Sequence, residues 1–288
     1  MLDALKFNDG AVIVTGGGTG IGQACCVEFA KLGASVIATG RTLETLEETR
    51  DLLKRDGHDC DIFAMDVTKS DDVEALRAHV ENRYGSLKAL VNNAGNNFRS
   101  NIEELSEDDW HRLIDVDLTS VFLMSKAFLP LLRNHPGGTS IVNNASIYGL
   151  VGNPLMPVYC AAKGGVLSLT RQLACDYGPE NIRVNAVCPG PTWSPRVRGY
   201  IESGRSSEAV LTSKVLLGRI AECSEIANTI VFLASDAASY IHGTSLAVDG
   251  GYTIQERHER RQSDHDHAGD AAYRSPDRWA RPVSTARP

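Results

Sequence analysis

Tyr159 and Lys163, four residues apart in Tyr159-Cys160-Ala161-Ala162-Lys163, are the pair in this sequence best suited to moving a proton. Pro157 stands just before them and an apolar stretch runs on to about Tyr177, so the spacing predicts a helix with both side chains on one face. A lysine cation beside a phenol favours the phenolate, which lets a tyrosine trade a proton with an alcohol oxygen. A second group is the glycine run Thr15-Gly16-Gly17-Gly18-Thr19-Gly20-Ile21-Gly22. Glycines there allow a tight turn and let backbone approach a pyrophosphate. A following helix, expected over Ala24 to Leu32, presents free N–H groups to the anion. The third group is Ala38-Thr39-Gly40-Arg41, at the end of the next strand candidate. An acid in that place accepts hydrogen bonds from ribose hydroxyls and repels a 2′-phosphate. None stands there, and the planar fork of Arg41 suits a phosphate, so NADP(H) is expected in preference to NAD(H).

These groups need a scaffold, and the chain is patterned to supply one. Apolar runs of strand length alternate with amphipathic stretches of helix length from residue 11 to about 250, which predicts a parallel sheet covered on both faces. The strands are expected at Ala11 to Thr15, Ser35 to Thr39, Asp61 to Met65, Ala89 to Asn92, Ser140 to Asn144, Arg183 to Cys188 and Ser245 to Val248. Leu43, Leu46 and Leu53 mark one connecting helix, and Val73, Leu76 and Val80 the next. Ser106 with Asp109 resembles a capping box and should open a long helix through Trp110, Leu113, Val121 and Leu123. Right-handed crossovers then make the fold an α/β, doubly wound, Rossmann-type sheet.

Composition narrows the partners. The 288 residues carry a formal net charge of -7, and no cluster of positive charge suits a nucleic acid. Seven cysteines without a CxxC pair make neither a disulfide framework nor a zinc site, so no metal is expected. With no signal-peptide pattern, no apolar run of membrane-spanning length and no C-terminal sorting signal, a cytoplasmic protein is expected. One catalytic domain should cover residues 1–253. Residues 254–288 hold seven arginines and six acids with Ile254 and Val283 as their aliphatics, the composition of a solvated, disordered tail. The same reading covers Asp264-His265-Asp266-His267, a run that also has metal-binding residue types.

Taken together, Thr15 to Gly22, Asn92-Asn93-Ala94-Gly95, Ser146, Tyr159 with Lys163, and Pro189-Gly190 resemble the short-chain dehydrogenase/reductase family, in order over roughly residues 8 to 253. The resemblance implies seven parallel strands, hydride transfer between a nicotinamide and a secondary alcohol or ketone, and a homodimer or homotetramer built on two long helices. It implies that Ser146 hydrogen-bonds the substrate oxygen, that Tyr159 exchanges its proton, and that Lys163 holds the nicotinamide ribose and tunes Tyr159. The cofactor residues it implies are Gly16, Gly18, Thr19, Gly20, Ile21, Gly22, Arg41, Asp66 and Val67 near the adenine, Asn93, Ala94, Gly95, Pro189, Gly190, Thr192 and Ser194. Residues 191–217 fall where the family carries a substrate lid.

One position departs from the pattern. In Asp115-Val116-Asp117-Leu118, residue 117 matches the place of a family asparagine that holds a water in the proton relay. Asp117 keeps such a relay if a backbone carbonyl serves it; if the carboxylate faces Lys163, it holds that lysine more firmly charged. Phe98, Leu150, Pro154, Leu155, Met156 and Trp193 are expected to line the pocket, which suits a partly apolar small-molecule carbonyl or alcohol. Other readings are an NAD-dependent alcohol or sugar dehydrogenase of the same family and, outside catalysis, a dinucleotide-binding redox sensor or scaffold.

Overall fold

The computed structural model describes residues 3–8 and 10–255. The expected tail from residue 256 onward, with its Asp-His run, lies outside the described residues. Seven strands form one sheet: β1 (Ala11–Thr15), β2 (Ser35–Gly40), β3 (Cys60–Ala64), β4 (Ala89–Asn92), β5 (Thr139–Asn144), β6 (Ile182–Pro189) and β7 (Ser245–Val248). All pairings are parallel, in the order β3-β2-β1-β4-β5-β6-β7. The chain runs outward from β1 through β2 to β3, then returns to place β4 on the other side of β1. Beyond the carboxyl ends of β1 and β4 this reversal opens a crevice, the place where doubly wound sheets bind ligands.

Each central strand is apolar on both faces because each face is covered. Val12 and Val14 of β1 pack with Phe29, Ile226 and Ile230, while Ile13 packs with Leu76, Phe128 and Leu132. The first layer consists of α1 (Gly20–Lys31), α2 (Leu43–Arg55) and a helix over Cys223–Ala234; the second includes α3 (Ser70–Tyr84). α1 starts four residues before the expected Ala24 and takes in the last glycines of the loop, Gly20 and Gly22.

The helix expected from Ser106 is present, with its hydroxyl accepting Asp109 N–H at 3.1 Å, but it is not a regular α-helix. α4 (Glu107–Ile114) and α5 (Ser120–Arg133) are joined by a π turn over Asp115–Thr119. Such a widened turn inserts a residue and re-aims the side chains on it. α6 (Pro157–Tyr177) begins and ends where the sequence predicts. After β6 come two short helices, α7 (Pro195–Glu202) and α8 (Glu208–Thr212), before α9 (Cys223–Ala234). No helix among the described residues is long and apolar enough to cross a membrane.

Candidate active site

The glycine loop links β1 to α1 through contacts that a side chain would block. Gly16 and Gly20 have φ of +65° and +57°. A Cβ on Gly22 would lie 2.0 Å from the carbonyl oxygen of Gly16, so α1 is seated directly on the turn. Thr15 joins neighbouring strand ends: its hydroxyl accepts from the N–H groups of Asn93 and Ala94, each at 2.9 Å. Asn93 Nδ2 donates to Thr15 O at 2.8 Å, and Asn144 Nδ2 to Asn93 Oδ1 at 2.8 Å. The ends of β1, β4 and β5 thus form one rigid floor.

Ser146 lies just beyond β5, buried, its hydroxyl accepting Tyr148 N–H at 3.2 Å. Tyr159 and Lys163 share a face of α6, with Lys163 Nζ 5.6 Å from the Tyr159 ring centre. Lys163 Nζ also donates to Asn144 O at 3.2 Å and lies 3.3 Å from Asp117 Oδ1. The π turn therefore aims the Asp117 side chain inward. Its fully buried carboxylate accepts Asn96 N–H at 3.1 and 3.2 Å and faces the lysine. Gly95 leaves room for it, since a Cβ there would meet Asp117 Oδ1 at 2.7 Å. Burial alone would pull the Lys163 ammonium down, but the Asp117 carboxylate and Tyr159 outweigh it and hold the lysine above its ordinary range. At Asp117 burial pushes the carboxyl up, against the pull of Lys163, Asn96 and Arg196. Of the two arrangements open for residue 117, the structure has the carboxylate on Lys163.

These groups border one cavity of about 740 Å³. Among the expected residues, Gly16, Thr19, Gly20, Ile21, Asn93, Ala94, Gly95, Asp117, Ser146, Tyr159, Lys163, Pro189, Gly190, Thr192 and Ser194 line it. Gly18 and Gly22 do not; they let Thr45 and Gly16 approach the backbone. Arg41, Asp66 and Val67 also stand outside the cavity lining, at the ends of β2 and β3. Arg41 is exposed and has no hydrogen bond or ion pair among the described residues. Burial works against the Asp66 carboxylate, yet the amide and hydroxyl of Thr68, at 3.0 and 2.8 Å, outweigh it with help from Arg41 and Lys69, so the carboxyl sits below its usual range.

Two of the six residues expected on the pocket wall stand there. Phe98 and Met156 line the cavity, whereas Leu150, Pro154, Leu155 and Trp193 do not. Leu150 and Leu155 face solvent, and Trp193 is covered by Arg198, 5.0 Å from its ring centre. In their place stand Asn97, Arg99, Tyr148, Tyr200, Arg205 and Leu211. Asn97, Arg99 and Tyr148 were within reach of the sequence through nearness to Gly95 and Ser146; Tyr200, Arg205 and Leu211, on and around α7 and α8, carry no such signal.

The cavity fits a nicotinamide dinucleotide. The side-chain-free glycines open its rim, and the buried Asn144 Oδ1, which borders it, has no hydrogen-bond partner in the protein. Comparison with known proteins agrees. A family model described as enoyl-(acyl carrier protein) reductase matches residues 16–253. The chain is 38% identical over 252 residues to 2-(S)-hydroxypropyl-CoM dehydrogenase 3 of Xanthobacter autotrophicus, covering 86% of this chain and 98% of that one. It is 40% identical over 248 residues to cis-4-hydroxycyclohexanecarboxylate dehydrogenase of Sinomonas cyclohexanicum, with 86% and 98% covered. A solved Agrobacterium tumefaciens structure with bound NADP, named as a candidate 2-deoxy-D-gluconate 3-dehydrogenase, superposes with a TM-score of 0.80 at 32% identity over 88% of this chain and 99% of that one. On this sheet order, this glycine turn and these relatives, the chain belongs to the short-chain dehydrogenase/reductase family, whose members bind a nicotinamide dinucleotide.

Proposed function

We propose that this protein is an NADP(H)-using oxidoreductase that interconverts a secondary alcohol and its ketone. The observation that carries the reading is the meeting of Ser146, Tyr159 and Lys163 in the cavity that the glycine loop also borders. The dinucleotide supplies the hydride acceptor or donor when bound. Ser146 orients the substrate oxygen through its hydroxyl, and Tyr159 takes or returns the proton at its phenolic oxygen. Lys163, kept cationic by Asp117, favours the phenolate and holds the ribose. The loop backbone at Gly16 to Gly22 and the helix start behind it receive the pyrophosphate, with Thr192 and Ser194 on the nicotinamide side.

Arg41 supports the choice of NADP(H): it directly follows β2, no acid ends that strand, and its exposed guanidinium makes no hydrogen bond or ion pair among the described residues, acting on Asp66 through its charge. The catalytic unit spans residues 1–253, with the lid at about 191–217. A cytoplasmic location agrees with the odd cysteine count, and a homodimer or homotetramer with the apolar surface beside β7. The test is initial-rate measurement of a panel of ketones with NADPH and NADH, and of alcohols with NADP⁺ and NAD⁺. Turnover with the phosphorylated cofactor favoured is the expected result; dinucleotide binding with no turnover on any member would favour the sensor reading instead.

A further inference from the structure

The cavity holds more positive charge than proton transfer requires. Its charged residues are Asp117 and Lys163, which pair with each other, and Arg99, Arg196 and Arg205, none of which has a carboxylate at ion-pair distance among the described residues. In a chain of net charge -7, that local excess runs against the overall balance. Arg196 belongs to the dinucleotide end. It follows Ser194 and Pro195, which pack over Gly20, and its Nη2 donates to Gly95 O at 3.1 Å.

Arg99 and Arg205 are not used in that way. Arg99 follows Phe98, and its charge reaches the hydroxyl of Tyr148, whose ring meets that of Tyr159 edge-on with centres 6.4 Å apart. No hydrogen bond or ring contact occupies its guanidinium among the described residues. Arg205 lies over the Tyr200 ring at 4.8 Å, and Tyr200 donates its hydroxyl proton to Asn97 Oδ1 at 2.7 Å. That contact ties the lid to the loop carrying Arg99. Only Nε of Arg205 is engaged, donating to Ser203 Oγ at 2.9 Å, so its terminal N–H groups are available.

We propose that the substrate is an anionic secondary alcohol or ketone, a hydroxy or oxo acid whose carboxylate is received by Arg99 and Arg205 while its carbinol carbon faces Tyr159. The inference rests on the dehydrogenase reading above and adds the substrate class. A guanidinium presents paired N–H groups matched to a carboxylate, and two of them in a partly closed cleft raise the local concentration of anions. Phe98, Met156 and Leu211 supply apolar wall for the carbon chain between the two ends. In the oxidative direction the carbinol carbon gives its hydride to the dinucleotide and its hydroxyl proton goes to Tyr159; the carboxylate is unchanged.

The test compares acids with their neutral twins. Initial rates are measured for 4-hydroxypentanoate, 5-hydroxyhexanoate and 6-hydroxyheptanoate, each beside its methyl ester, with the native chain, Arg99→Gln, Arg205→Gln and the double variant. At least one acid should exceed its ester about tenfold or more in kcat/KM, chiefly through KM, and the double variant should lose that advantage. Retained dinucleotide binding confirms that the variants are folded. Esters turned over as well as the acids, or an acid advantage that survives the double substitution, would overturn the anionic-substrate inference and leave the dehydrogenase reading standing. Dinucleotide binding with no turnover of any acid or ester by the native chain would instead overturn the dehydrogenase reading.

Discussion

Asp117 carries a carboxylate to a position where water cannot stabilise it, and the compensation comes from Lys163 and the Asn96 amide. Asparagine at the same place offers one acceptor oxygen and no charge, so burial would then act on the lysine with little opposition. The sign follows. Lys163 is raised by its surroundings, so the folded state keeps its proton to higher pH than the unfolded chain does. The contribution of Lys163 is complete below the unfolded lysine's range and is lost as pH rises through the folded value. In Asp117→Asn the lysine should lose its proton earlier, and the basic limb of the kcat/KM profile should move to lower pH. An unmoved limb would make the carboxylate a bystander. Tyr159→Phe is the sharper test of chemistry: turnover should fall at least a hundredfold, within the usual range for a lost general acid–base, while dinucleotide affinity holds. Activity within about tenfold of the native chain would refute the assigned proton path.

At the scale of elements, the end of β2 sets the cofactor preference. The geometry there permits a clean exchange: a Cβ on Gly40 would meet only Leu46 Cδ2, at 3.6 Å, an ordinary contact. Gly40→Asp with Arg41→Ala should therefore fold normally, add an acceptor for ribose hydroxyls and remove the cation. A hydrogen bond to a charged group is worth roughly 1.5 to 3 kcal/mol, so the native ratio of kcat/KM should favour NADP(H) by about ten- to a hundredfold. With Arg41 exposed and screened, and Thr19 adding no charge, the lower part of that range is expected. The double variant should invert the ratio; a ratio that stays put would show that Arg41 serves solvent. Gly22→Ala at the loop should behave differently, because the added methyl meets backbone at 2.0 Å and the turn has no room to yield. Overpacking of that kind costs about 1–3 kcal/mol, visible as a lower Tm together with weaker dinucleotide binding.

For the whole molecule, the sheet ends on an edge. β7 pairs with β6 on one side only, and Leu246 on it is 38% exposed. Leu216, Leu217 and Ile254 lie exposed on the segments packed against the turn that follows it. An apolar sheet edge bordered by such residues suits contact with a second copy of the chain. Leu246→Lys with Leu217→Lys should shift the protein to a smaller species in sedimentation or light scattering with its circular dichroism unchanged. An unaltered native mass would place the contact elsewhere.

What the sequence determined by itself was everything governed by local pattern. Alternating apolar runs marked all seven strands to within two residues at each end, and the glycine turn, Ser146, Tyr159 and Lys163 were legible because their chemistry requires particular types at particular spacing. The pocket wall was not legible. Leu150, Leu155 and Trp193 were chosen as apolar neighbours of the site, but whether a loop residue faces a cavity depends on where other elements approach it, and a linear pattern does not carry that. The same holds for Asp117. Asp117 stands 46 residues before Lys163, and its sequence position leaves open whether the backbone carbonyl or the carboxylate serves the site; only the π turn at Asp115–Thr119, packed against α6, buries the carboxylate and brings it to 3.3 Å from the ammonium. Tertiary packing decided these points because a helix's extra residue, and the side chain it turns inward, are stabilised by contacts made across the fold rather than along the chain.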